Sequence, residues 1–310
     1  MLFLNREQVT GLLDLDGLIE ALVPAFIELS AGRTSVPPRV AAFTESGFLG
    51  AMPGYVAGTL EAKLVSVFHG NDAKGLPSHQ ALIALFDVED GRPLAVMDGA
   101  HITAMRTAGG SALATRTLAR GDSKVLAIIG AGVQGRAHLA MVPRVRDFEE
   151  IRVASRSRDH ARVLAEESGA ILKETFEEAI RGADVICICT DAIAPIVDSE
   201  WISPGAHVTS VGANPRGGEL DEGTVRSGML VVESRVAFEP PPAGAFELQG
   251  LDADEASELG EILSGAKPGR TSPDEITVYK SMGHAVEDAA AARMVYDRAV
   301  EDGIGTTVEL

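Results

Sequence analysis

Between positions 14 and 29 the apolar side chains Leu15, Leu18, Ile19, Leu22 and Phe26 recur at steps of three and four, the spacing of an amphipathic helix. From 37 to 96 that period disappears. Short apolar runs at 48–52, 62–68, 81–87 and 93–97 are separated by Gly, Pro, Asn and Asp, which predicts an antiparallel sheet, with a hairpin turn at Asp90-Gly91-Arg92. A helical pattern of small residues and leucine resumes over 101–118 and runs out near Gly121. This first block reads as an α+β unit.

The texture changes at Val125-Leu126-Ala127-Ile128-Ile129, an apolar run without alternation, as expected of a parallel strand buried on both faces. Helices are predicted at 134–145, 159–168 and 175–180, and strands at 150–154, near Ile171, at 184–190 and at 207–211. Strands alternating with helices predict a doubly wound parallel sheet, so the fold class is α/β. The last run, 283–300, sets Val286, Ala289, Ala290, Val295 and Ala299 on one helical face and is predicted to pack back on the first block.

Composition narrows the partners. The 310 residues carry 27 Lys+Arg against 45 Asp+Glu, a formal charge of -18, which argues against a nucleic-acid binder and against an anionic membrane surface. A hydrophobic fraction of 45% supports a real core rather than disorder. Cys187 and Cys189 fit neither a disulfide framework nor a CxxC pair and read as core residues. The first residues turn polar within five positions and no later stretch stays apolar for the ~18 residues of a span, so a soluble cytoplasmic protein is expected. Seven histidines show no HxH or HExxH spacing, and no metal site is expected.

Gly130-Ala131-Gly132-Val133-Gln134-Gly135 follows the buried strand and opens a helix. In that context GxGxxG is a dinucleotide fingerprint: Gly130 permits the tight turn, Gly132 lets the backbone approach a pyrophosphate, and Gly135 allows close helix–strand packing. The second block is thus a Rossmann-type domain. The next strand ends Ala154-Ser155-Arg156-Ser157-Arg158, with no acid before Asp159 to hold an NAD ribose. Ser155, Arg156 and Ser157 suit the 2′-phosphate of NADPH, the preferred cofactor, with NADH possible. The plainer alternative is a solvated basic helix start.

Several strings, in order along nearly the whole chain, resemble the ornithine cyclodeaminase/mu-crystallin family. They are Pro37-Pro38-Arg39, Ala62-Lys63-Leu64-Val65, Pro77-Ser78-His79-Gln80, the run from Leu94 through Ile102-Thr103-Ala104-Met105-Arg106-Thr107-Ala108, the glycine loop, Pro204-Gly205-Ala206-His207, and Lys280-Ser281-Met282-Gly283-His284 with Glu287-Asp288. The chain looks most similar to the imine-reducing members. The resemblance implies a homodimer, a dimerisation and substrate domain at 1–120 completed by 284–310, and a Rossmann domain at 121–283. It also implies that Arg39, Lys63 and Arg106 bind a substrate carboxylate, with Lys63 and Arg106 next to the reacting carbon. Physical chemistry agrees that arginine forks fix carboxylates and that a desolvated lysine can hand over a proton; a snorkelling strand-edge lysine is the alternative for Lys63. By the same carry-over Ser78, His79, Arg106, Thr107, Ala131, Val133 and Gln134 line the cofactor, as do Thr190, Asp191, Val211 and Ser281.

One departure bears on the chemistry. Where cyclodeaminases and the related alanine dehydrogenases show Gly-Ala-Asp or Gly-Gly-Asp, this chain has Gly212-Ala213-Asn214, and an amide cannot act as a base. Reduction of a preformed C=N in a 2-imino acid is therefore the expected activity. The alternatives are an alanine-type dehydrogenase, a cyclodeaminase (disfavoured by Asn214) and a non-catalytic binder of NADPH or a small ligand. His79 reads equally as cofactor contact or structural residue, His284 as a helix cap, and Glu219 and Asp221 as caps as readily as substrate contacts.

Overall fold

The computed structural model describes residues 1–309, the side chain at position 72 apart. In chain order come β1 (Leu2–Leu4), α1 (Arg6–Leu12), α2 (Leu15–Ser30), β2 (Val40–Phe43), β3 (Phe48–Val56), β4 (Thr59–Val67), β5 (His79–Phe86), β6 (Pro93–Asp98) and α3 (Gly99–Leu118). Then follow β7 (Val125–Ile129), α4 (Val133–Met141), β8 (Glu150–Ala154), α5 (Arg158–Ser168), β9 (Ile171–Leu172), α6 (Phe176–Ile180), β10 (Val185–Ile188) and β11 (His207–Ser210). The rest are α7 (Glu222–Arg226), β12 (Met229–Val232), β13 (Ser257–Glu258), α8 (Leu259–Leu263), β14 (Thr277–Lys280), α9 (Ala285–Asp302) and β15 (Thr306–Thr307).

The chain divides into two compact units, residues 1–106 with 284–310, and residues 107–283. The division falls inside α3, between Arg106 and Thr107, whereas helical periodicity alone set a limit after that helix. Its two halves bond differently: Arg106 to carboxylates of α9, Ser111 to His138 of α4.

The first unit is a seven-stranded sheet in the order β15-β1-β6-β5-β4-β3-β2. Strands β3 to β6 form the expected antiparallel meander, β2 adds a strand at its edge that the apolar runs did not mark, and the predicted hairpin closes through the Asp87 N–H on the Arg92 carbonyl with Gly91 at φ 75°. The first strand was not foreseen. It runs parallel to β6 and antiparallel to β15, so the two ends of the chain pair with each other. The last helix packs on β3 and β4 and against α2, where Ala25, Val56, Val286 and Ala289 make a buried cluster. Alanines at 289 and 292 let α9 approach closely, and its start is fixed by a capping box between His284 and Glu287.

The second unit is an eight-stranded sheet, β13-β12-β14-β11-β10-β7-β8-β9, parallel at every pairing. Read from β9, the order of its first five strands is 3-2-1-4-5, and the reversal lies between β7 and β10. Its core is built from Ala127, Ile129, Ile186, Ile188, Val208 and Val278. The helix expected to 145 stops at Met141, and Pro143 sits in a short 3-10 turn instead. Strand β14 escaped sequence analysis because Thr277, Tyr279 and Lys280 are as buried as Val278, and such a run does not look apolar.

Candidate active site

Along β4 the alternation runs against the usual rule: Thr59, Glu61 and Lys63 are buried, while Leu64 is 38% exposed. Register explains this. Lys63 stands beside Met52 and Ile83, both buried, in a sheet whose strands β3, β4 and β5 pack against α9. A buried ammonium needs a partner, and Nζ donates to Asp288 Oδ2 at 2.6 Å. From α3, the buried Arg106 donates through Nε to Asp288 Oδ1 at 2.8 Å and through Nη1 to Glu287 Oε2 at 2.8 Å. The same Glu287 oxygen accepts the His284 N–H, so the turn that caps α9 also supplies counterions for both cations. His284 is the N-cap.

Burial, and after it the charge of Arg106, pulls the Lys63 ammonium down to about 8 against the opposing pull of Asp288. Burial works hardest against ionised Asp288, yet Arg106 and Lys63 together hold it below the usual carboxylate range. Arg39 directly precedes β2. Extending the β2–β3 register by one residue sets it opposite Met52, in the cross-strand row of Lys63 and about 10 Å from it at two strand spacings. Ser78 and His79 lie at the start of β5 in the same unit, hydroxyl to Nδ1 at 3.1 Å, with His79 in register with Val67.

In the second unit the glycine loop joins β7 to α4 beside the strand-order reversal. Gly130 has φ 110°, and a Cβ there would stand 2.5 Å from the Cys189 carbonyl oxygen. One on Gly135 would stand 2.0 Å from the Gly130 carbonyl oxygen, so both ends of the motif exclude side chains. Gly132 is the N-cap of α4, without a side-chain cap and with nothing within 4 Å of an added Cβ. The first N–H groups of the helix therefore have an open approach, and the loop fits a pyrophosphate. Ala131 is buried and Val133 69% exposed; Gln134 Oε1 is buried without a hydrogen-bond partner among the described residues. At the end of β8, Ser157 caps α5 by accepting from the His160 N–H, and Arg156 is exposed with no hydrogen bond or ion pair among the described residues.

The remaining expected cofactor residues sit at strand ends of this unit, apart from Thr107, buried in α3. Three carboxylates organise this region, of which sequence reasoning named only Glu219, as a cap or a substrate contact. Glu219 accepts from the Thr190 N–H and hydroxyl at 3.0 and 2.6 Å, the Ser210 hydroxyl at 2.8 Å and the Gly212 N–H at 2.8 Å, tying together the chain after β10 and after β11. It caps no helix; Asp221 caps α7. Glu233 accepts from the Ser281 hydroxyl at 2.6 Å and from the N–H groups of Met282 and Gly283, so the buried Ser281 spends its hydroxyl inside the protein. Glu247 pairs at 2.8 Å with the buried Lys280. An acid inside an apolar run, as in Val231-Val232-Glu233, was the available signal. The Val211 N–H bonds back to Ile188. Asn214 donates its amide to Asp191 Oδ1 at 3.0 Å and accepts the Arg216 N–H at 3.0 Å.

The ornithine cyclodeaminase/mu-crystallin family profile matches residues 1–303. Ketimine reductase mu-crystallin of Mus musculus is 42% identical over 306 residues, 95% of this chain and 96% of that protein. Among solved structures, Delta(1)-pyrroline-2-carboxylate reductase of Thermococcus litoralis, in complex with NADH and L-proline, superposes with a TM-score of 0.93 at 39% identity over 99% of this chain and 100% of that one. An archaeal alanine dehydrogenase dimer with bound NAD gives 0.90 at 32% identity, over 100% and 99%. The match to residues 1–303 takes in the lysine strand, the glycine loop and the capped last helix alike: the chain belongs to the ornithine cyclodeaminase/mu-crystallin family.

Proposed function

We propose that this protein is an NAD(P)H-dependent ketimine reductase, which saturates the C=N bond of 2-imino acids such as pyrroline-2-carboxylate or piperideine-2-carboxylate to give L-amino or cyclic imino acids. The observation that carries this is Lys63: among the described residues its one hydrogen bond is to Asp288, which leaves two of its three donors for a ligand. Arg106, held by Asp288 and Glu287, and Arg39 in the row of Lys63 add the cationic surface that a 2-carboxylate needs. The reduced nicotinamide supplies the hydride when bound. Lys63 holds the proton destined for the imine nitrogen, and desolvation makes its ammonium a stronger acid, while Asp288 stays ionised and keeps it in place.

Arg156 with Ser155 and Ser157 supports NADPH over NADH. Homodimerisation is supported by an exposed apolar sheet face in the first unit, and the two free, buried cysteines agree with a reducing, cytoplasmic setting. Asn214 is bonded as an amide and offers no base for cyclodeamination. The test is NADPH oxidation with pyrroline-2-carboxylate, piperideine-2-carboxylate, and pyruvate plus ammonia or methylamine. The cyclic imines are expected to turn over fastest. Efficient use of pyruvate with free ammonia points to an alanine-type dehydrogenase, and ornithine cyclodeamination by the unmodified protein refutes the reading of Asn214.

A further inference from the structure

Two residues before Lys63, on the same buried face of β4, stands Glu61, 1% exposed and with neither carboxyl oxygen hydrogen-bonded among the described residues. Its register partner on β3 is Gly54, whose missing side chain makes the room: a Cβ there would lie 3.3 Å from Glu61 Oε1. On β5 its partner is the buried Leu85. Neither neighbouring strand brings a charge to it, since Tyr55 points to the other face and His79 is in register with Val67 at the far end. The groups that act on it are Lys63 on β4, Arg106 on α3 and Asp288 on α9, with Glu287 next to the last.

The charges of that set already cancel. Lys63 and Arg106 are two cations, and Asp288 and Glu287 are two anions bonded to them. A third carboxylate would be an uncompensated charge in an apolar wall with no donor to stabilise it. It would also make this set net negative beside the place where an anionic ligand has to bind, Arg39 standing outside the set at about 10 Å from Lys63.

We propose that Glu61 is a neutral carboxylic acid in the working protein and a positioning residue of the substrate cluster: while it keeps its proton, Lys63 and Arg106 remain available to a ligand's carboxylate, and when it loses that proton at alkaline pH the cluster turns anionic ligands away. Burial, and after it the charge of Asp288, pushes this carboxyl up to about 9. The inference rests on reading Lys63 and Arg106 as the carboxylate site.

Two measurements keep the two ideas apart. The first is the infrared difference spectrum of wild type against Glu61→Gln near neutral pH, where a protonated carboxyl C=O band is expected in the wild type and lost in the variant. Its absence overturns the proposal whatever the substrate. The second is calorimetric affinity of the cofactor-saturated protein for pyrrole-2-carboxylate, a planar non-reactive anion. Wild type is expected to bind it about tenfold more weakly at about pH 10 than near neutrality, and Glu61→Gln to lose clearly less over the same range, since of the two groups only Lys63 is left to titrate. An alkaline loss as large in Glu61→Gln as in wild type makes Lys63 the titrating group and overturns the assignment. Should Glu61→Gln not fold, Glu61→Leu suits the apolar wall and serves the same comparison. A carboxyl band together with no anion binding by either form sinks the substrate reading, and with it any ligand for Glu61 to admit.

Discussion

Lys63 and Arg106 reach the interior because Asp288 and Glu287 meet them there, and removing one partner of such a buried pair typically costs about 3–5 kcal/mol. Arg156 is the opposite case, exposed and unengaged, so its substitution leaves the fold alone. Arg156→Ala is expected to raise the KM for NADPH about tenfold or more while that for NADH changes little; equal effects on the two cofactors in steady-state kinetics remove the 2′-phosphate role. Both cations were legible as motif residues. Their counterions were not, although Glu287 and Asp288 stand in a motif string, because pairing over 225 residues of chain separation depends on the packing of α9. Glu61 was hidden for a different reason: period-two alternation distinguishes two faces of a strand without saying which is inside, and β4 turns its polar face inward.

At the level of elements, two buried neutral histidines act as joints in the second unit. His138 on α4 bonds the Gln134 carbonyl through Nδ1 and the Ser111 hydroxyl of α3 through Nε2, and His207 on β11 bonds the Thr277 hydroxyl of β14. Burial drives His138 down to about 4; burial, then Arg270 and Arg146, drives His207 down to about 3. An unfolded histidine titrates near 6.5. Below that pH, and down to about 4, the unfolded chain binds protons that the folded chain refuses, so stability is present above 6.5 and is lost as pH falls through this window. Each histidine contributes a slope of at most about 1.4 kcal/mol per pH unit. Urea unfolding of His138→Gln is therefore expected to lose stability less steeply than wild type between about pH 6.5 and about pH 5, and parallel profiles count against the imidazole. Long periodic elements such as α2, α5 and α9 were readable because their burial is one-sided. The strands from β12 onward were not, being two to four residues long and chosen by their neighbours.

For the molecule as a whole, Val40, Leu49, Leu64 and Leu82 share one face of the first sheet and are 64, 49, 38 and 42% exposed. A contiguous apolar face of this kind marks an association surface. Replacing Leu64 and Leu82 together by Glu is expected to shift the protein from dimer to monomer in sedimentation equilibrium with its secondary structure intact; an unchanged mass moves the interface elsewhere. The acidic balance read from composition also took on a shape, since the buried cations Lys63 and Arg106 of the first unit sit in one cluster with Asp288 and Glu287.

The pairing of β1 with β15 has a consequence for biosynthesis. Every strand of the second unit lies between residues 125 and 280, so that unit has all its strands before the ribosome reaches α9 and β15. The first unit, whose β1 begins at residue 2, waits for β15 at residues 306–307. Until Asp288 and Glu287 emerge, Lys63 and Arg106 lack their counterions, and the cluster that defines the candidate site is assembled only after every strand of the second unit has been made.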